Sequence, residues 1–149
     1  MINLYTAQEI ADILRRLGCE AESELRLYDD YSRVNSKTYG IPWQVVMLGS
    51  APFHTELLTR VPLWVEGDPL RWTNDWNCSR SSQAFAVHDP ATRRPIKKGR
   101  RRLVGIEALL SFGDGVKPEY VIRFLGWWIM ELKHLRVRPQ VEFFEELSL

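Results

Sequence analysis

The chain has 149 residues, 45% hydrophobic and 26% charged, which are the proportions of one globular domain with a sizeable core. It contains no run of the roughly twenty apolar residues that cross a bilayer and no basic segment leading into an apolar export core, so a cytoplasmic protein without a membrane contact is expected. The net charge of +1 hides an asymmetry: Arg93, Arg94, Lys97, Lys98, Arg100, Arg101 and Arg102 crowd one stretch without an acidic neighbour, and taking these seven from +1 leaves −6 on the rest.

Thr6-Ala7-Gln8-Glu9 is a capping box, so a helix is expected to start there. Ile10, Ile13, Leu14 and Leu17 line one face of it, and Gly18 supplies a left-handed stop. The period then changes to two. Leu25 and Leu27 suggest a first strand, and Val34 to Tyr39 with Trp43 to Leu48 suggest a hairpin turning at Gly40-Ile41-Pro42. Phe53, Thr55, Leu57, Thr59, Val61 and Leu63 alternate with a more polar set, so they should face a core, and Pro62 places the strand's end at an edge or bend.

Asp68-Pro69 opens a second helix, with Trp72 and Trp76 on one face. Gln83 to His88 and Leu103 to Phe112 read as strands, the second with Val104, Ile106, Ala108, Leu110 and Phe112 on one side. Between them Pro90, Pro95 and Gly99 disfavour regular structure, so the basic run is expected in a long hairpin loop at about 90–102. Lys117-Pro118-Glu119 opens the last long helix, whose inward stripe is Val121, Phe124, Leu125, Trp128, Leu132 and Leu135. Pro139 must break it, leaving Val141, Phe143, Phe144 and Leu147 for a C-terminal helical extension after about 137. These elements form a single α+β domain over 1–149, with five or six largely antiparallel strands packed with helices.

The chemistry of catalysis is missing. His54, His88 and His134 are scattered, and no nucleophile elbow, phosphate loop or dinucleotide turn is present, so no catalytic residue, metal or cofactor is expected. Asp29-Asp30 and Glu145-Glu146 are adjacent carboxylates suited to a solvated face, and Gly113-Asp114-Gly115 is explained as a turn. Cys19 and Cys78 are expected reduced and partly buried, and most of the six tryptophans are expected in the core.

Two features point outward. Tyr120, Trp127 and Met130 spread apolar surface around a second side of the last helix, a candidate partner-binding or dimer contact. The seven cations from Arg93 to Arg102 are candidate anion contacts. A protein contact or a solvated tip is favoured over nucleic acid there, because the adjoining strands carry no aromatic platform for bases.

EIADILRRLG at Glu9 to Gly18, NDWN at Asn74 to Asn77 and GDGVKPEYV at Gly113 to Val121 resemble the YbjN family of bacterial sensory-transduction regulators, and FFEEL at Phe143 to Leu147 is similar to the tail of its actinobacterial members. The resemblance implies a fold like that of type III secretion chaperones: a curved antiparallel sheet with helices packed on it, a homodimer, no cofactor and no catalytic residues. Where this chain carries Arg93 to Arg102, the family has a short acidic link, and the segment Leu135 to Pro139 is longer than the family's. The leading expectation is a non-catalytic, chaperone-like or regulatory protein-binding module; the alternatives are a nucleic-acid binder acting through the basic loop and an enzyme of unrecognised type.

Overall fold

A computed structural model describes residues 4–24, 31–49, 53–113 and 115–147. Along the chain run α1 (Ala7–Arg16), β1 (Glu20–Ser23), β2 (Tyr31–Thr38), β3 (Ile41–Leu48), β4 (Glu56–Glu66), α2 (Pro69–Ser79), β5 (Gln83–Ala86), β6 (Lys97–Lys98), β7 (Arg101–Ser111), α3 (Pro118–Arg136) and β8 (Val141–Phe143). The six strands β1-β2-β3-β4-β7-β5 form one antiparallel sheet in that order, and two short strands extend it, β6 on β7 and β8 on β4. The fold is α+β; β1 to β4 follow one another across the sheet, and β7 then lies between β4 and β5. The strand expected at Leu25 and Leu27 lies outside the described residues; β1 precedes it.

Local signals place several elements. The Thr6 hydroxyl accepts from the Glu9 N–H at 3.2 Å and the Glu9 carboxylate accepts from the Thr6 N–H at 3.2 Å, completing the capping box of α1. Leu17 is the C-cap and is exposed, so the buried stripe ends at Leu14. Asp68 caps α2 by accepting from the Leu70 N–H at 3.0 Å. The β2–β3 turn is tighter than expected: it consists of Tyr39 and Gly40, both at positive φ (54° and 76°), the backbone of a two-residue hairpin.

Both strand prolines sit inside strands, and the register explains why they are tolerated. Thr38 and Ile41 flank the two-residue turn as a bonded pair, so Pro42 directs its missing donor away from β2, to a side where β4 pairs only from Gln44 onward. Pro62 lies mid-strand, not at the end of β4. The Phe112 N–H donates to the Thr55 carbonyl at 2.7 Å, so the odd residues of β4 bond towards β7. Pro62 therefore faces the other side, where β3 pairing stops at Arg60 and β8 begins at Leu63.

All the strand residues of the apolar core fall on one sheet face: Ala21, Val34, Ile41, Trp43, Val45, Met47, Leu57, Val61, Leu63, Val65, Ala84, Val104, Ile106 and Phe112. The stripes of α1 and α3 join the same cluster, together with Trp76 of α2, so the helices cover this face. The rings of Trp43 and Trp128 meet at 5.9 Å in its centre. The C-terminal extension is not helical. After Arg136 the chain turns through Pro139 and Gln140 (φ 59°), and β8 pairs Val141, Glu142 and Phe143 with Val65, Trp64 and Leu63. Among the described residues no helix is long and apolar enough to cross a membrane.

Candidate functional site

The second side of α3 meets an open sheet edge. Because Ala108, Leu110 and Phe112 bond towards β4, Leu109 and Ser111 direct their N–H and C=O groups away from it. On that side β5 ends where Gln83 pairs with Glu107, and among the described residues no strand pairs with 108–111. A groove of about 600 Å³ follows this edge, with Leu109, Phe85, Phe124 and Trp127 on its walls. Leu109 is 55% exposed and Tyr120 is 53% exposed, while Trp127 is half-buried against Phe124 at 5.6 Å. Of the three α3 candidates, Trp127 thus lines the edge groove, whereas Tyr120 and Met130 are exposed outside its lining.

The basic run is more ordered than a solvated loop. Asp89 accepts from the Ala91 and Thr92 N–H groups, Arg93 turns the chain at φ 58°, and His88 bridges to Pro95. Lys97 and Lys98 then pair with Arg102 and Arg101 as the hairpin β6–β7. Its cations fall into two sets. Glu142 of β8 accepts from Lys98 Nζ at 2.6 Å and from Arg101 Nη1, and Glu66 lies 3.6 Å from Arg101 Nη2. Hydrogen bonding from Lys98 leads the causes that hold the Glu142 carboxyl below its ordinary value, with the charges of Arg101 and Lys98 adding to it. Lys98 also sits over the Trp64 ring at 5.8 Å, and Trp64 stacks on Phe144 at 5.5 Å. Arg102 folds onto the Gly99 and Arg101 carbonyls. Arg93, Arg94, Lys97 and Arg100 are exposed and make no ion pair among the described residues.

The sequence reading missed two buried polar clusters. Glu131, 1% exposed on α3, accepts from Arg80 Nε at 2.8 Å, from the Ser82 N–H at 3.1 Å and from the Ser82 hydroxyl at 2.9 Å. Burial alone would raise this carboxyl, but the hydrogen bonds from Arg80 and Ser82 and the Arg80 charge outweigh it and hold it below the ordinary range. The Trp76 indole donates to Ser82 at 3.1 Å, and Asn77 clasps Ala84 by donating to its carbonyl at 2.9 Å and accepting from its N–H at 2.7 Å. This cluster joins α2, α3 and β5. In the second cluster His54, 1% exposed, has Nδ1 2.9 Å from the Gly49 carbonyl and Nε2 2.9 Å from Ser32 Oγ. A carbonyl only accepts, so the proton sits on Nδ1. Ser32 is also buried and lines none of the surface grooves described here, so the pair is a satisfied core contact.

Cys19 is buried, its thiol pushed up by that burial while Thr38 donates to it at 3.1 Å; Cys78 is exposed, not partly buried. Among the described residues no three His, Cys, Asp or Glu side chains gather as a metal site. Compared with known protein families and with curated proteins, the chain finds no match.

Proposed function

We propose that this protein is a non-catalytic protein-binding module, chaperone-like or regulatory in use and working in the cytoplasm, that forms a homodimer along the free edge of β7. The observation that carries this reading is the edge at Leu109 and Ser111, unpaired among the described residues and flanked by Phe85, Phe124 and Trp127. An open edge beside apolar side chains is a template for another strand. A second copy fits it. A two-fold axis at Leu110 sets Leu109 of one copy opposite Ser111 of the other and satisfies four backbone bonds. The added strand ends where it must, because the chain turns away at Gly113 (φ 55°) before reaching the Gln83–Glu107 pair.

The YbjN-like words support the same reading. EIADILRRLG makes α1, NDWN carries the Trp76 and Asn77 contacts, and GDGVKPEYV leads from β7 into α3. A sheet whose apolar face is backed by helices suits a chaperone-like protein. A nucleic-acid role is weakened by Glu142 and Glu66, which take up two of the seven cations, and by the −6 on the rest of the chain.

Ser111→Pro tests the edge, since it removes a donor that points away from β4. Light scattering at high micromolar concentration should give a dimer for wild type and a monomer for Ser111→Pro, with both chains melting cooperatively. A monomeric wild type overturns the reading.

A further inference from the structure

The sheet face opposite the helices carries a built polar row. Asn35 pairs with Gln44, Gln44 with Arg60, and Arg60 with Glu107, each directly across from the next on β2, β3, β4 and β7. Within it the hydrogen bonds run in one direction. Asn35 Nδ2 donates to Glu24 Oε1, Gln44 Nε2 donates to Asn35 Oδ1 at 2.9 Å, and Arg60 donates to Gln44 Oε1 from Nε at 3.1 Å and Nη2 at 3.0 Å. Gln44 is 4% exposed and has its oxygen committed to Arg60, so the guanidinium is held in one orientation on rigid central strands.

Arg60 is half-buried, yet its partner is a neutral amide. Among the described residues no carboxylate lies within 4 Å of it. The Nε–Nη2 edge is used by Gln44, which leaves the outer fork of the guanidinium open, the geometry that receives a carboxylate with two parallel bonds. Arg60, Gln44 and Glu107 border a groove of about 400 Å³ whose other walls are Leu103, Phe85 and the C-terminal Phe144 and Leu147. Gly105 shapes it: a Cβ there would stand 2.6 Å from Phe85 Cζ, so only glycine lets that ring lie across the strand. Such a space, mostly apolar with few convergent polar groups, is the usual form of a small-ligand site.

We propose that this groove binds a small monocarboxylate with an aryl or medium-chain aliphatic body, its carboxylate held by the open fork of Arg60 and its body against Phe85 and Leu103. A single negative charge suits the site. Glu107 and Glu146 also border it, so a dianion such as a phosphate monoester would be repelled by two carboxylates and attracted by one cation. Burial raises the Glu107 carboxyl, against the pull of Arg60. The groove shares Phe85 and Glu107 with the one along the β7 edge, but Arg60 and Leu103 border it alone, so light scattering on the dimer and titration at Arg60 read the two proposals separately.

Calorimetric titration of the full chain with 4-phenylbutyrate, and in parallel with 4-phenylbutyramide, tests it. The acid should bind saturably, one per chain, with the amide about tenfold weaker or worse, because a charge-assisted bond is exchanged for a neutral one. Arg60→Gln should erase the preference of acid over amide, and Leu103→Trp should fill the groove and abolish both, with melting curves confirming that each variant is folded. The same carboxylate chemistry also occurs at a protein C-terminus, which the tripeptide Ac-Gly-Gly-Phe distinguishes: tighter binding than 4-phenylbutyrate assigns the site to a chain terminus, weaker binding to a free acid. No saturation up to about 10 mM, well above the millimolar range of weak ligands, would overturn the proposal. So would equal affinity for acid and amide, or a preference that survives Arg60→Gln.

Discussion

Arg80, the C-cap of α2, and Glu131, in the middle of α3, form an ion pair in which the carboxylate is 1% exposed and the guanidinium reaches partly to solvent. The asymmetry has an energetic consequence. Removing Arg80 leaves a buried charge with only neutral donors, the Ser81 and Ser82 N–H groups and the Ser82 hydroxyl, to satisfy it, whereas removing the charge of Glu131 leaves a cation that can turn to water.

Arg80→Ala is therefore expected to cost about 3–5 kcal/mol, and Glu131→Gln clearly less. The pH dependence has a definite sign. Glu131 titrates below its ordinary value in the folded chain, so the pair's contribution is full above the unfolded value of about 4.3 and is lost as pH falls through the lowered one. Urea unfolding at neutral pH and at successively acid pH checks both: wild type should lose stability on acidification more steeply than Glu131→Gln.

Trp76 is 1% exposed and stacks on Trp72 at 5.7 Å, with its indole bonded to Ser82. Trp76→Ala should lower stability by about 3–5 kcal/mol, as large aromatic truncations in cores do. Asn77→Asp keeps the shape but cannot donate to the Ala84 carbonyl, so about 1–3 kcal/mol should be lost through one unsatisfied acceptor. Chemical denaturation of both variants gives the comparison.

Glu142 clamps the basic hairpin through Lys98 and Arg101. Arg100→Ser, at an exposed turn, should change stability by no more than about 0.5 kcal/mol. At near-physiological salt, fluorescence anisotropy with labelled DNA or RNA should show wild type no tighter than ~10⁻⁴–10⁻⁶ M. Glu142→Gln should tighten that binding and steepen its salt dependence, since it frees Lys98 and leaves Arg101 only Glu66; submicromolar binding by wild type would instead make nucleic acid the leading partner.

Gly105→Ala should displace the Phe85 ring and cost about 1 kcal/mol, the low end of overpacking, because Phe85 is exposed and its ring can swing towards solvent. Combining it with Phe85→Ala should cost less than the sum of the two single changes, because the clash disappears with the ring. A double-mutant cycle by thermal melts measures the coupling.

What could be read from the sequence alone was decided by short-range physics. The capping box at Thr6, the stop at Gly18, the Asp68-Pro69 start and the alternation along Leu57 to Leu63 depend on residues a few positions apart, and each appears where its signal stood. Tyr120 and Met130 stand exposed on α3 because too much of that helix is apolar for one contact, while Trp127 is half-buried against Phe124. Pro42 and Pro62 were misjudged because the cost of a proline in a strand depends on which neighbour its missing donor faces, and neighbours are set by sheet order. β8 escaped notice because three residues carry little period of their own and gain a partner only once β3 has left half of β4 uncovered. The ion pairs Lys98–Glu142 and Arg80–Glu131 join residues 44 and 51 positions apart, and the polar row from Asn35 through Gln44 to Arg60 joins three separate strands. Charges and amides have no periodicity that announces a distant partner. Only the closing of the sheet and the packing of α3 brought them within hydrogen-bonding range, where the low dielectric and fixed geometry give them their effect.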